Sequence, residues 1–244
     1  MTASLKLFVD FDGTITRGDV GNMFFRAFGG DACDSLVRRF RAGEISAREC
    51  FLGEAESMGR VAPDALEQFV AGQEIDPSFP SLVAFCRERG VDILIVSDGL
   101  DFYIRRILAA NGCAGVPFVA NRASLVRPGA DGCAGIELAF PHPDAVCERC
   151  ACCKRNIMLN GSVDGDILAY VGEGFSDRCP VRYADIVFAK DVLQTYCQNE
   201  NITYYPYISF DDVVSRRRLL LDRGRLRPRA RAAAERRAAF RHES

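Results

Sequence analysis

The chain has 244 residues, 48% of them hydrophobic, which is enough to bury a large core in one domain or in one domain with an insertion. No apolar run approaches the roughly 20 residues that span a bilayer, and Asp10 interrupts the N-terminal apolar segment. We therefore expect a soluble, cytoplasmic protein with no membrane partner. The eleven cysteines are scattered along the chain, so reduced thiols are expected rather than a disulfide framework.

The near-neutral total charge of −2 hides a basic C-terminal segment. Residues 216–241 contain eleven arginines against Asp222 and Glu235, a local charge of +9 that leaves −11 for the rest of the chain. Such a segment can contact nucleic acid, anionic lipid or the acidic body of the protein itself. Because it lacks interleaved aromatic residues, we predict a solvated tail over residues 216–244, with nucleic acid not expected as a partner. Deleting the residues after Asp222 should then leave the activity unchanged.

Two carboxylates follow the first predicted strand. The apolar run that begins at Leu7 ends at Asp10, and Asp12-Gly13 breaks the chain into a turn. Strand alternation points Asp10 and Asp12 the same way, at the end of the strand where open α/β sheets bind ligands. Two carboxylates so close repel each other unless a cation or a shared proton relieves them, so a Mg²⁺ site is predicted. An ordinary Asp-Gly turn is the alternative.

Residues 18–80 have helical rather than strand-like spacing of their apolar residues, and Ser46 with Glu49 forms a capping-box pattern. This insertion directly after the first strand lies over the ligand-binding end of the sheet, which predicts a cap. A helical subdomain without a gating role is the alternative. The remaining catalytic core is expected to comprise residues 1–17 and 81–215.

A second buried strand is predicted over residues 91–96, because its continuous β-branched run is typical of a parallel sheet covered on both faces. It leads into Ser97-Asp98-Gly99 and then a helix. A hydroxyl between a strand end and a helix N-terminus is well placed to hold phosphate oxygens. The same three residues also cap helices without binding anything.

A pair of strands over residues 116–125 and 136–140 precedes a cysteine-rich run. Cys147, Cys150 and Cys153 have the spacing of a thiolate zinc site, which Cys152 or His142 would complete. Reduced loop cysteines or an opportunistic disulfide are the alternatives.

Lys154 follows these cysteines and is one of only three lysines, against 28 arginines. A compact ammonium in such an arginine-rich chain indicates a need for a point charge, for example on a phosphate. A surface lysine is the competing interpretation.

The segment from Ala169 to Asp177 is a short strand that ends in glycines, with carboxylates at Glu173 and Asp177. Another buried strand follows over residues 184–189, and a helix begins near Val192. Strands that end in an acid or a hydroxyl and alternate with helices predict an α/β fold with a doubly wound parallel sheet and its site at one edge.

Together, Asp-Phe-Asp-Gly-Thr, Val-Ser-Asp-Gly, a lysine and Gly-Glu-Gly-Phe-Ser-Asp resemble the four motifs of haloacid-dehalogenase (HAD) superfamily phosphatases. The resemblance covers roughly residues 5 to 214. It implies a Rossmann-like core with a small helical cap, similar to the phosphoserine-phosphatase-like group. Within that group the chain resembles a branch that includes a phosphatase of methionine salvage.

The resemblance implies a role for each matching residue. Asp10 would be the nucleophile that forms an aspartyl-phosphate, and Asp12 the general acid and base. This sharing of roles requires an ionised Asp10 and an Asp12 that can hold a proton. The phosphoryl group would be held by Ser97, Asp98, Gly99, Lys154 and Thr14. Mg²⁺ would be bound by Asp10, the backbone carbonyl of Asp12, Glu173 and Asp177.

The chain departs from the HAD pattern at Glu173, where the family usually has Asp. The additional methylene moves the carboxylate, and the strict octahedral geometry of Mg²⁺ makes metal affinity or rate sensitive to that change. We expect a Mg²⁺-dependent phosphatase, with a weakened phosphate-binding regulatory module as the rival. The substrate is expected to be a small phosphorylated metabolite. The candidates are a methylthiopentenyl phosphate, phosphoethanolamine or phosphocholine, phosphoserine and pyridoxal phosphate. The sequence does not choose among them, and it does not determine the oligomeric state.

Overall fold

The computed structural model describes residues 4–145, 147, 149–222 and 226–242. Seven strands lie in this part of the chain: β1 Leu5–Val9, β2 Asp92–Leu100, β3 Phe118–Val126, β4 Gly135–Ala139, β5 Ile167–Gly172, β6 Ile186–Ala189 and β7 Tyr205–Pro206. The helices are α1 Val20–Gly29, α2 Asp31–Arg41, α3 Ala47–Met58, α4 Pro63–Ala71, α5 Phe79–Glu88, α6 Asp101–Ala110, α7 Lys154–Asn160, α8 Pro180–Tyr183, α9 Asp191–Asn199, α10 Phe210–Asp222 and α11 Ala230–His242.

The strands form one sheet in the order β4-β3-β2-β1-β5-β6-β7. Every pairing is parallel except that of β3 with β4, which forms an antiparallel edge. Val9, the last residue of the central strand, pairs with Ile95 on one side and Val171 on the other. The residues that follow β1 and β5 therefore leave the sheet side by side. The predicted doubly wound α/β fold is confirmed.

The insertion between β1 and β2 is helical, as predicted, and its helices begin where the local chemistry favours them. The Ser46 hydroxyl accepts a hydrogen bond from the Glu49 backbone N–H, and the Glu49 carboxylate accepts one from the Ser46 N–H. Pro63 occupies the first turn of α4, where its missing N–H has no partner to lose.

Aromatic packing joins the inserted helices to the core. The Phe24 ring contacts Phe25 and Phe69 within the insertion and packs edge-on against Phe102 of α6, with ring centroids 5.1 Å apart. A backbone bridge between Val61 and Ala134 adds a second connection to the β3–β4 hairpin. One continuous apolar core thus fixes helices α1 to α4 over the sheet edge.

The prediction of a solvated C-terminal tail is wrong for the described residues. Helix α10 continues through residue 222 with Arg217 only 1% exposed, and in α11 Ala232 is fully buried. The buried Asp185 carboxylate accepts hydrogen bonds from the Arg229 backbone N–H at 2.9 Å and the Arg236 guanidinium at 3.1 Å. The basic residues therefore neutralise an acid of the protein's own body. Residues 223–225 and 243–244 of the predicted tail lie outside the described residues.

Among the residues that the structure describes, no helix combines the length and apolar character needed to cross a bilayer.

Candidate active site

The carboxyl ends of three strands and the start of one helix converge at a single place. Asp10 directly follows β1, Ser97 lies near the end of β2, and Glu173 directly follows β5. Lys154 is the first residue of α7 and is 1% exposed. The structure thus brings together residues that are up to 163 positions apart in the sequence, as the prediction of a common pocket requires.

A buried ion-pair network lies at the centre of the site. The Lys154 Nζ atom is 2.5 Å from Asp10 Oδ1 and 2.7 Å from Asp177 Oδ1, and it also contacts the Ser176 hydroxyl at 2.9 Å. Thr14 donates its hydroxyl proton to Asp10 Oδ2 at 3.1 Å. Lys154 is therefore not a surface lysine, and the two attractions raise its pKa even though burial opposes its charge.

Asp177 is held by hydrogen bonds on both carboxylate oxygens. Its Oδ1 atom accepts from Lys154 and, at 2.6 Å, from the Tyr170 hydroxyl, while Oδ2 accepts from the backbone N–H groups of Glu173 and Gly174 at 2.9 Å. Through its two backbone contacts Asp177 holds the loop after β5 in a tight turn, and through Oδ1 it fixes the position of the lysine ammonium.

The Asp12 carboxyl lies between the core and the inserted helices. It accepts hydrogen bonds from the Ser97 hydroxyl at 3.1 Å, the Tyr103 hydroxyl at 3.1 Å and the Gly21 backbone N–H at 3.1 Å. Burial, together with the nearby Asp19 charge, raises the pKa of Asp12 to about 7. Asp12 can therefore hold or release a proton near neutral pH, as a general acid and base must.

Two glycines permit the close packing around Asp12. A Cβ atom at Gly99 would lie 1.9 Å from the Tyr103 hydroxyl oxygen and 2.4 Å from Asp12 Oδ2, so a side chain at this position would displace Asp12. Gly13 has φ +71°, which glycine adopts without strain, and a Cβ atom there would lie 2.8 Å from Glu173 Oε1.

The Ser97-Asp98-Gly99 segment has a more specific arrangement than a helix cap. Ser97 Oγ accepts a hydrogen bond from the Gly99 N–H at 2.9 Å while donating to Asp12. The Asp98 carboxylate accepts from the Cys152 backbone N–H at 2.7 Å. Asp98 therefore holds the loop that leads to Lys154, and the phosphate contact predicted for it stays a prediction.

The site carries more negative than positive charge. Burial and the neighbouring Asp177 raise the pKa of Asp10 well above its ordinary value, although Lys154 lowers it. Burial and the same aspartate raise the pKa of Glu173 to about 7. The Glu173 carboxylate accepts no hydrogen bond within the described part of the chain and reaches the turn at Gly13. The Asp10 and Glu173 carboxylates and the Asp12 backbone carbonyl are hard oxygens, and the excess negative charge suits a divalent cation. No three acidic side chains of the described residues are grouped as metal ligands, so a cation here would need the carbonyl and water as further donors.

The predicted zinc site gains no support. In the described ranges, no group of three or more His, Cys, Asp or Glu side chains is arranged to hold a metal ion. Cys147, Cys150, Cys152 and Cys153 are free thiols, and Cys152 is fully buried. A hydrogen bond from Cys150 lowers the pKa of the Cys153 thiol to about 7.

A cavity of about 610 Å³ opens above Asp10 and Asp12. Helices α1, α2 and α3 form its opposite wall with Phe25, Phe40 and Glu54 among the lining residues. Sequence patterns did not identify Tyr103, Tyr170 or Glu54 as site residues, because each lies on a regular element whose sequence shows only helical or strand spacing.

Comparison with known proteins identifies a family for the chain. The model of the Putative Phosphatase family matches residues 5–201. A 2-hydroxy-3-keto-5-methylthiopentenyl-1-phosphate phosphatase of Exiguobacterium sibiricum is 30% identical over 86% of this chain and 95% of its own length. The enzyme of the same name from Brevibacillus brevis is 28% identical over 88% and 95%.

Solved structures share the fold at lower identity. A HAD family hydrolase from Salmonella enterica serovar Typhi has a TM-score of 0.64 at 17% identity, covering 91% of this chain and 71% of that one. A phospho-aspartyl intermediate analogue of phosphoserine phosphatase has a TM-score of 0.62 at 16% identity, covering 91% and 99%. With the family model spanning most of its length, this chain belongs to the Putative Phosphatase family and has the fold of HAD hydrolases.

Proposed function

We propose that the protein is a Mg²⁺-dependent phosphatase that hydrolyses the phosphate monoester of a small metabolite through an aspartyl-phosphate on Asp10. The observation that carries the proposal is the buried Lys154 ammonium joined to Asp10 and Asp177, with Asp10 lining an open cavity beside an Asp12 whose pKa is about 7.

In this mechanism Asp10 is the nucleophile and Asp12 is the general acid and base. A carboxylate oxygen of Asp10 forms a bond to phosphorus while the bond from phosphorus to the leaving oxygen breaks, and Asp12 gives that oxygen its proton. Asp12 then takes a proton from the water that attacks the aspartyl-phosphate, which releases inorganic phosphate and restores Asp10. The hydrogen bonds from Ser97, Tyr103 and Gly21 hold the Asp12 carboxyl in place for both proton transfers.

Lys154 and Ser97 are proposed to bind the phosphoryl oxygens. The lysine ammonium has three donors, of which two face Asp10 and Asp177 and one faces the Ser176 hydroxyl. A phosphate oxygen can replace that hydroxyl without breaking either ion pair. Lys154 would then neutralise charge on the transferring group without losing the contacts that keep it buried and charged.

Mg²⁺ would be held by Asp10, the Asp12 backbone carbonyl and Glu173, with Asp177 acting through its hydrogen-bonded loop. When bound, it supplies positive charge against the phosphate oxygens and against the surplus of carboxylates. The longer side chain of Glu173 already brings its carboxylate to the turn at Gly13. We therefore expect the Glu173→Asp variant to bind Mg²⁺ no better than the wild type, as isothermal titration would show.

The relatives direct the choice of the first substrate. Both named curated relatives are 2-hydroxy-3-keto-5-methylthiopentenyl-1-phosphate phosphatases, so this ester of methionine salvage is the first candidate. Phosphoethanolamine, phosphocholine, phosphoserine and pyridoxal phosphate are the alternatives. We also propose that residues 18–80 act as the cap that selects among them, because α1, α2 and α3 form the cavity wall opposite Asp10.

The test is phosphate release from p-nitrophenyl phosphate, with and without Mg²⁺, by the wild type, Asp10→Asn and Asp92→Asn. Asp92 is an exposed aspartate whose change controls for the substitution itself. We expect metal-dependent turnover that only Asp10→Asn abolishes, and trapping of phosphate on Asp10 in acid-quenched protein. A folded wild type that binds phosphate but releases none from any of these esters would instead support the regulatory phosphate-binding module.

A further inference from the structure

Two of the thiols in the cysteine-rich run before Lys154 contact each other. Cys150 and Cys153 are free thiols three positions apart in the sequence, and the Cys150 thiol donates a hydrogen bond to the Cys153 sulfur. Cys153 is also the residue directly before Lys154, where α7 begins. A disulfide forms only between cysteines whose side chains point toward each other, and this pair meets that condition.

The two sulfurs have different surroundings. Hydrogen bonds from the Cys150 thiol and the Asn156 backbone N–H lower the pKa of the Cys153 thiol to about 7. The Arg155 charge acts in the same direction, while burial and the Asp144 carboxylate oppose it. The contact between the two sulfurs, together with burial, raises the pKa of the Cys150 thiol. Cys153 is therefore partly ionised at neutral pH beside a thiol that keeps its proton, which is the arrangement of a nucleophilic and a resolving cysteine.

Access to the pair restricts the oxidant. Cys150 is half-buried and Cys153 is 3% exposed. Hydrogen peroxide is little larger than water and can reach a sulfur with so little exposed surface, whereas a bulky disulfide such as glutathione disulfide cannot. A partly ionised thiol with a resolving thiol in contact is the kind of site that peroxides oxidise selectively.

The segment that holds the pair also positions Lys154. The Cys153 sulfur lies 3.9 Å from Asp144 Oδ2, which accepts a hydrogen bond from the Asn156 side chain of α7 at 2.9 Å. A bond to Cys150 would draw the sulfur away from Asp144 and rotate the backbone at the start of α7. The Lys154 ammonium lies only 2.5 Å and 2.7 Å from the two carboxylates that it joins. A displacement of about an ångström would break these contacts, and misplacements of that size cost roughly 10²-fold in rate.

We propose that Cys150 and Cys153 form a peroxide-sensitive dithiol, and that its oxidation to a disulfide inactivates the protein by displacing Lys154. The Cys153 thiolate attacks one peroxide oxygen, the O–O bond breaks, and the departing hydroxide takes up a proton to give water. The Cys150 sulfur then attacks the sulfenic acid on Cys153, the S–O bond breaks, and the thiol proton leaves with the hydroxyl group as a second water. The loss of activity rests on the proposed phosphatase function, whereas the disulfide itself does not.

The first experiment locates the disulfide and requires no activity. The reduced, folded protein is treated with one equivalent of hydrogen peroxide, and its remaining thiols are alkylated under denaturing conditions. The disulfide is then reduced, and the released thiols receive a second label. We expect tandem mass spectrometry to find the second label on Cys150 and Cys153 and the first label on Cys152, which lies between them. A second label on any other pair, or on none, would overturn the proposal.

The second experiment measures the consequence for turnover. Mg²⁺-dependent hydrolysis of p-nitrophenyl phosphate is followed before the peroxide treatment, after it, and after reduction with dithiothreitol. We expect kcat to fall at least about tenfold on oxidation and to recover on reduction. A disulfide between Cys150 and Cys153 that leaves kcat unchanged would overturn the displacement of Lys154.

Variants assign the effect to the pair. Cys153→Ser and Cys150→Ser cannot form the disulfide, so each should have the same activity before and after peroxide. Because this ratio is taken within one protein, a change in basal activity does not affect it, and if Cys153→Ser does not fold, Cys150→Ser decides. Cys133→Ser and Cys179→Ser change two other accessible thiols and should lose activity as the wild type does. Resistance of Cys179→Ser alone would assign the oxidation to that thiol and overturn the proposal.

The outcomes separate this inference from the function on which it partly rests. Turnover that peroxide does not change, in a protein that forms no disulfide, would overturn the inference and leave the phosphatase standing. A reduced wild type that hydrolyses no ester would overturn the phosphatase and the control of its activity, and the labelling experiment would then decide the oxidation site alone.

Discussion

Replacement of Lys154 by methionine removes the cation that joins Asp10 to Asp177. With an effective dielectric constant of about 20, charges 2.5 Å and 2.7 Å apart attract each other by roughly 6 kcal/mol per pair. Much of this gain offsets the cost of removing three charges from water. The variant keeps both buried carboxylates and loses their partner, so we expect its free energy of unfolding to fall by roughly 3–5 kcal/mol.

The loss of stability in this variant should depend on pH. Without Lys154, the pKa of Asp10 in the folded protein rises further above its unfolded value, because the lysine charge and hydrogen bond that lower it are gone. A group with a raised folded-state pKa takes up a proton on folding. Its contribution is therefore present at low pH and is lost as the pH rises through the folded-state pKa. The stability difference between the wild type and Lys154→Met should be smaller at pH 5 than at pH 8.

The assay is urea unfolding at several pH values, with Lys6→Met as the matched control. Lys6 pairs at 3.6 Å with Asp92, whose side chain is 71% exposed, and lies 3.9 Å from the buried Asp166. Because backbone N–H groups also bind Asp166, the loss of Lys6 should cost no more than about 1 kcal/mol. In p-nitrophenyl phosphate turnover, Lys154→Met should lose roughly 10²–10³-fold in kcat and Lys6→Met nothing. Equal stability of the two variants at pH 8, or a penalty that does not change with pH, would refute the reasoning.

Three further changes test other parts of the structure. Gly99→Ala should lower kcat at least about tenfold by displacing Asp12, whereas Gly115→Ala, where a Cβ atom meets nothing within 4 Å, should match the wild type in the same assay. Asp12→Asn should lower kcat by roughly 10²–10⁴-fold in steady-state kinetics, and wild-type activity in this variant would exclude Asp12 as the general acid. Deletion of the residues after Asp222 should lower the free energy of unfolding by roughly 3–5 kcal/mol, because Asp185 loses its arginine partners, and an unchanged thermal midpoint would contradict this.

The strands and the chemistry at their ends could be predicted because their patterns are local. An apolar run stops at Asp10, another leads into Ser97, and a third ends at Gly172 before Glu173, so each acid or hydroxyl is adjacent in sequence to the strand that positions it. The hydrogen bonding of Ser46 with Glu49 and the proline at the start of α4 are equally local. These predictions depended on spacings of a few residues, which the backbone translates directly into structure.

Prediction was wrong where a residue's surroundings come from distant parts of the chain. The arginine-rich segment was expected in solvent, yet Arg236 contacts Asp185, 51 residues earlier, and the composition of the segment contains no information about that acid. In the same way, only the folded chain shows that the Asp98 carboxylate accepts a hydrogen bond from the Cys152 N–H, 54 residues away.

By itself the sequence determined the class of fold, the strand that carries each acid and the helical nature of the insertion. The spacing of apolar residues and the residues that form turns are properties of neighbouring positions in the chain. Only the tertiary structure decided which groups share a proton or an ion pair. The Tyr103 hydroxyl reaches Asp12 across 91 residues, Lys154 reaches Asp10 across 144, and Glu54 of the insertion lines the same cavity as Asp10. The physical reason is that a charge is stabilised or destabilised by whatever lies within a few ångströms of it, and that distance is set by packing rather than by position along the chain.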